Sequence, residues 1–253
     1  MLIDSHCHLY VREFDSDRQE VMKRAMDAGI EKFYLPAIDS QTTQAMWQME
    51  AAYPGVCYCM AGLHPCSVNE KTEEELALVF DMVSRRKFAA IGEIGLDFYW
   101  DKTFIHAQYD AFHRQILLAI DHKLPIVIHT REAMQETIDV VKEYKGRVRG
   151  IFHCFGGSRK DAEVIIELGF LLGIGGVVTY KNAGLAEVIK DIGLEHLVLE
   201  TDAPYLTPVP FRGKRNESSY LKLVQEKIAA IKQVAPEEVA TITTANALNI
   251  FSN

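Results

Sequence analysis

Residues 89–95 read Ala-Ala-Ile-Gly-Glu-Ile-Gly, and residues 170–178 read Phe-Leu-Leu-Gly-Ile-Gly-Gly-Val-Val. A strand with one wet face alternates apolar and polar side chains. These runs are almost continuously apolar or small, which suits strands covered on both faces. Working outward, comparable runs cover 2–6, 32–38, 56–62, 88–94, 125–129, 149–153, 171–175 and 196–200. About one helix separates each from the next, the alternation of parallel strands joined by crossover helices. An open doubly wound sheet would alternate in the same way, and no internal repeat decides closure. The count of eight favours a (β/α)8 TIM barrel of class α/β, built as a single domain over residues 1–253.

The segments between the runs agree with this. Ile105, Tyr109, Phe112, Ile116 and Ile120 recur at intervals of three and four residues along one helical face, as do Leu76, Phe80 and Val83. Ser16 with Gln19, and Ser158 with Asp161, stand where a capping residue and its reciprocal acceptor start a helix, and Gly29 and Gly169 stand where helices end. The longest expected loop runs from Pro204 to Ser219.

At 253 residues, with 48% hydrophobic and 25% charged residues, the chain can bury a large core and cover it with charge, which argues against disorder. The first residues, MLIDSHCHLY, do not read as a secretory signal, and glycines break the longest apolar runs well short of the roughly 20 residues a membrane helix needs. A cytoplasmic protein with no membrane contact is expected. Five cysteines, Cys7, Cys57, Cys59, Cys66 and Cys154, are an odd set that argues for free thiols. Cys57 and Cys59 point to one face of a strand, where small buried apolar side chains are the expected role rather than a metal pair. A net charge of −8 argues against coating nucleic acid by bulk attraction, but leaves room for a local basic loop that holds one phosphate.

His6 and His8 form an H-x-H pair at the end of the first run, so both rings project to one side and can share an ion. Taken alone, such a pair is more often incidental. However, Glu93, His129, His153 and Asp202 stand at the ends of the fourth, fifth, sixth and eighth runs, just after the strongly apolar AAIG, PIVI and GIF in the first three cases. Each could be an ordinary hydrogen-bonded side chain. Together they would be costly to bury unless paired or ligated. Barrel enzymes build their sites at this face, and mixed His and carboxylate donors suit divalent ions.

Taken together, SHCHL (5–9), GEIGLDFYW (92–100), PIVIHTREA (125–133), FHCFGGS (152–158) and ETDAPYL (200–206) resemble the TatD family of metal-dependent deoxyribonucleases. The likeness spans roughly residues 3–250 and includes GLHP (62–65), RGKRNE (212–217) and TTANALNIF (243–251). It implies an amidohydrolase-like barrel in which His6, His8, Glu93, His129, His153 and Asp202 bind one or two divalent ions, Zn, Mn or Mg, with Glu93 bridging. Glu93 and Asp202 would be catalytic. Asp202 would accept or orient the proton of an activated water that attacks phosphorus. His64 matches a histidine with a substrate-facing role. This chain has Cys66 where many relatives have a second histidine, and Ser218 where many have a proline that stiffens the loop.

Arg212, Lys214 and Arg215 could clamp a backbone phosphate or form a solvated basic loop. Arg131 could approach the substrate or pair with Glu132 or Asp202. Phe98, Tyr99 and Trp100 offer either a stacking surface for an unpaired base or packing at the barrel rim. Asp97 reads as an orienting partner of a ligand histidine or as an ordinary loop acid.

The leading expectation is a deoxyribonuclease acting on single-stranded or frayed DNA ends. A small-molecule amidohydrolase, or a D-aminoacyl-tRNA deacylase as the resemblance also suggests, would use the same ions. A noncatalytic metal scaffold is disfavoured, because donors at several strand ends resemble an open site.

Overall fold

Eight parallel strands form where the apolar runs lie: β1 (Leu2–Asp4), β2 (Ile30–Leu35), β3 (Cys57–Cys59), β4 (Ile91–Asp97), β5 (Ile126–Arg131), β6 (Gly150–Phe152), β7 (Phe170–Ile174) and β8 (Leu197–Leu199). The computed structural model describes residues 1–252, so Asn253, the last residue of the expected domain, lies outside the described residues. Regular ladders join β1 through β3 and β4 through β8. A few backbone hydrogen bonds bridge the two seams: Ala89 N donates to Cys59 O, Ala61 N to Ala90 O and Gly92 N to Ala61 O on one side, and Ser5 N donates to Leu199 O at 3.0 Å on the other. The result is a (β/α)8 barrel.

Helices α1 (Arg18–Asp27), α2 (Ser40–Ala52), α3 (Thr72–Arg85), α4 (Ile105–His122), α5 (Met134–Lys142), α6 (Arg159–Glu167), α7 (Leu185–Lys190) and α8 (Leu221–Lys232) follow the strands in turn, and α9 (Pro236–Phe251) is additional. α4 buries Phe112 and Ile116 on the expected face, and α3 buries Leu76 and Val83. Ser158 and Asp161 form the expected capping box of α6. α1 differs: it starts at Arg18 after Asp17, with no side-chain cap. The Asp17 carboxylate is taken instead by Arg215 at 2.7 and 2.8 Å.

The inside of the barrel is a separate cluster drawn from every strand or the residue flanking it: Ile3, Tyr34, Met60, Ala90, Val127, Ile151, Leu171 and Val198. Ala247, Ile250 and Phe251 of α9 pack into it, and Phe251 stacks on Tyr34 at 3.8 Å. Thus α9 plugs the amino-terminal end of the barrel. The larger outer cluster, between strands and helices, holds Cys57 and Cys59 as small apolar side chains, and all five cysteines are unpaired. No helix among the described residues is long and apolar enough to cross a membrane.

Candidate metal centre

Past the apolar interior, the carboxyl ends of the strands carry the polar residues. His6 and His8 leave β1 on the mouth side while Cys7 between them is fully buried in the outer core, because Cys7 N donates to Tyr34 O and keeps the segment extended. In β4 the register shifts between Gly92 and Ile94, so Glu93 is an extra residue against β5, and its carboxylate is 2% exposed at the centre of the mouth. His129 continues the inward face of Val127 on β5. Gly95 makes that approach possible: at φ +145° it sits where a Cβ would lie 2.0 Å from His129 O. Asp202, in the left-handed region at φ 55°, is held by a hydrogen bond from its N to His6 O at 2.9 Å.

These side chains form two groups that share Glu93. In the first, Glu93 Oε2 lies 3.1 Å from His6 Nε2 and 3.5 Å from His8 Nε2. Asp202 Oδ1 lies 3.7 and 3.6 Å from the same nitrogens, which are 3.3 Å apart. In the second, Glu93 Oε1 lies 2.8 Å from His129 Nδ1, 2.8 Å from His153 Nε2 and 3.2 Å from His64 Nε2. His153 stacks on His6 at 3.8 Å and so touches both groups. Donors bonded at about 2.0–2.2 Å to one tetrahedral ion stand about 3.3–3.6 Å from each other. The first group, at 3.1–3.7 Å, fits this spacing, and the mixture of imidazole and carboxylate suits divalent ions; in the second group the 2.8 Å contacts of Glu93 Oε1 are hydrogen-bond lengths, so His129 and His153 would have to draw back slightly from that oxygen to admit an ion.

The protonation states follow from burial and mutual charge. Burial pushes His6 well below the ordinary imidazole value, with His153 adding to it, and burial also lowers His64. Burial opposes ionisation of Glu93, yet His153, His64 and His6 hold its carboxyl well below the usual carboxylate range. For His153 the cost of burial is outweighed by Glu93 and Glu200, which raise it. For His129 it is outweighed by Asp97 and Glu93. Burial pushes Asp202 up to about 6.

Three residues stand behind the donors. Asp97 Oδ2 lies 2.9 Å from His129 Nε2, which fixes that ring so that Nδ1 faces Glu93. Tyr10 Oη lies 3.0 Å from His8 Nδ1 and donates to Pro36 O. Glu200 Oε1 lies 3.5 Å from His153 Nδ1, in space left by Gly173, where a Cβ would be 2.2 Å from Glu200 Oε2. Sequence reasoning missed Tyr10 and Glu200. Each lies two residues along its segment from a donor, His8 or Asp202, and that two-residue spacing was the available signal.

The expected substrate residues are dispersed. His64 joins the donor atoms instead of standing off toward substrate. Arg131 pairs with neither Glu132 nor Asp202, and its guanidinium lies 3.7 Å from the Tyr99 ring centroid. Arg215 grips Asp17 with two nitrogens and also donates to Glu13 O. Arg212 stacks over Tyr180 at 4.1 Å, and Lys214 is exposed beside Phe211. Ser218 does not loosen its loop; its hydroxyl is buried and donates to Asp4 Oδ2 at 2.6 Å.

Residues 3–252 match the family described as TatD related DNase. The chain belongs to the TatD family. It is 42% identical over 253 residues to the "Uncharacterized metal-dependent hydrolase YabD" of Bacillus subtilis (strain 168), covering 99% of each chain. It is 33% identical to the "3'-5' ssDNA/RNA exonuclease TatD" of Pantoea vagans (strain C9-1), again covering 99% of each. Among solved structures, the TatD homolog YJJV from Escherichia coli k12 superposes with a TM-score of 0.92 at 29% identity, covering 99% of this chain and 97% of the other. This TatD-family protein is a metal-dependent hydrolase, and three overlapping sets of these donors could hold a metal ion: His6, His8 and Glu93; His64, Glu93 and His129; and His6, His153 and Asp202.

Proposed function

We propose that this TatD-family hydrolase is a phosphodiesterase that shortens single-stranded or frayed DNA from its ends. The observation that carries this reading is the division of the donors into two groups, one on each oxygen of Glu93. His6, His8 and Asp202 would hold one divalent ion, and His129 and His153, with His64 beside them, a second. Bound there, such ions supply an acidified water and positive charge for the diester oxygens. Glu93 holds the two groups at a fixed separation. Asp202, at the open edge, holds or orients the proton that leaves the attacking water. Histidine donors favour zinc or manganese, whereas magnesium suits turnover at carboxylate and phosphate oxygens.

The relatives named as 3'-5' exonucleases of single-stranded DNA and RNA support the substrate class and suggest attack from the 3' end. One domain over residues 1–253 is supported by the cluster that joins all eight strands. A cytoplasmic location fits the five unpaired thiols. One observation favours the amidohydrolase reading: with Arg215 bound to Asp17, only Arg212 and Lys214 of the three loop cations remain for a phosphate.

Single-stranded DNA labelled at either end, incubated with magnesium or manganese, tests the proposal. Progressive shortening from the 3' end is expected, abolished by a chelator and in Glu93→Ala. Folded, metal-loaded protein that leaves DNA intact but opens a cyclic amide or an ester would replace the nuclease reading with the amidohydrolase or deacylase one.

A further inference from the structure

Trp100 is 67% exposed, the most exposed large apolar side chain among the described residues, and its neighbour Tyr99 is 46% exposed. Isolated exposed aromatics need no explanation. These two differ because they are fixed in place and attached to the metal centre. Asp97 Oδ1 accepts Tyr99 N at 2.9 Å and Trp100 N at 3.2 Å, while the other oxygen of the same carboxylate faces His129 Nε2. Arg131, two residues after His129, lays its guanidinium 3.7 Å from the Tyr99 centroid and 5.3 Å from that of Trp100. The two rings meet edge to face at 4.8 Å. Phe98 is the rim-packing residue of this segment: it is partly buried against the outer core. Tyr99 and Trp100 remain outside.

We propose that Tyr99, Trp100 and Arg131 form a stacking platform for an unpaired base of the strand whose phosphodiester lies at the Glu93 groups, an inference that rests on the nuclease reading. The open indole supplies a π-face that accepts any base, as a nuclease without sequence preference needs. Arg131 backs the platform with a cation, which favours electron-rich rings and adjoining phosphate. A duplex end has its bases stacked and paired, so the platform selects for single strands and frayed ends.

The chain has two tryptophans, so Trp47→Phe leaves Trp100 as the sole indole reporter. Its emission is followed by stopped flow, ahead of turnover, on mixing with an oligodeoxythymidylate or a fully abasic strand of equal length. Quenching by the base-bearing strand alone is expected. With magnesium or manganese, Trp100→Ala is expected to raise KM for the base-bearing strand roughly 10-fold to 100-fold, with little change in kcat. Trp100→Phe should recover most of that loss. Hydrolysis with no quenching, or with KM unmoved by Trp100→Ala, overturns the platform and leaves the nuclease reading standing. Base-dependent quenching by metal-loaded protein that hydrolyses neither strand supports the platform and overturns the nuclease reading.

Discussion

Asp97 is small, acidic and 1% exposed, and it has two duties at once. Burial raises the cost of its charge, but the His129 ring and the amides of Tyr99 and Trp100 hold the carboxyl well below the usual carboxylate range. It therefore stays ionised and can fix the His129 tautomer that offers Nδ1 toward Glu93. Asparagine keeps the shape and one acceptor oxygen, so Asp97→Asn should fold normally and keep the Tyr99–Trp100 backbone in place. It should weaken metal binding or turnover about 10-fold to 100-fold, as losses of orienting partners do. Metal titration followed by rate measurement checks this; wild-type affinity in the variant would show that His129 needs no partner.

The loop between β8 and α8 shows what an element can hide. Its cations read equally well as phosphate ligands or solvated charges, and the structure gives Arg215 a third role, closing the loop onto α1 through Asp17. Hydrogen bonds from Arg215 hold Asp17 below its ordinary 3.8 against the opposing effect of burial, with the charges of Arg215 and Arg24 helping. A depressed carboxyl contributes stability that is present above its ordinary value and is lost as pH falls through the lower folded one. Arg215→Ala should therefore lower stability by about 1 kcal/mol at pH 7, the upper end for a partly exposed ion pair, and the gap should narrow as pH falls below Asp17's ordinary 3.8. Urea midpoints above and below that value test this, and KM for DNA should not move. A large KM change would mean that Arg215 also contacts the substrate. The strands were legible because burial on both faces leaves a continuous apolar signature, and the six donors because they follow those strands. Partners such as Asp17, 198 residues away from Arg215, left no local trace, since either cationic or neutral side chains suit a surface loop.

At the scale of the molecule, the barrel separates stability from chemistry along its axis. Its amino-terminal end is dry: α9 seals it, and Phe251 stacks on Tyr34 above Ile3, Val127 and Val198. Its carboxyl end is a charged mouth in which Glu93 is already neutralised by histidines, so the metal-free chain keeps a compensated site. Removing the ions should then abolish hydrolysis while the barrel stays folded, at a loss of stability set by linkage, about 3–4 kcal/mol when free metal exceeds Kd 100-fold to 1,000-fold. Phe251→Ala should cost about 3–5 kcal/mol through the void it leaves, with metal affinity unchanged. Because the two perturbations share no partner, their effects on the unfolding free energy should add to within about 0.5 kcal/mol. Denaturant titrations of both proteins, with and without chelator, measure all four corners. A clear shortfall or excess would mean that the plug and the mouth are mechanically coupled through the strands, and that closing one end of the barrel sets the metal geometry at the other.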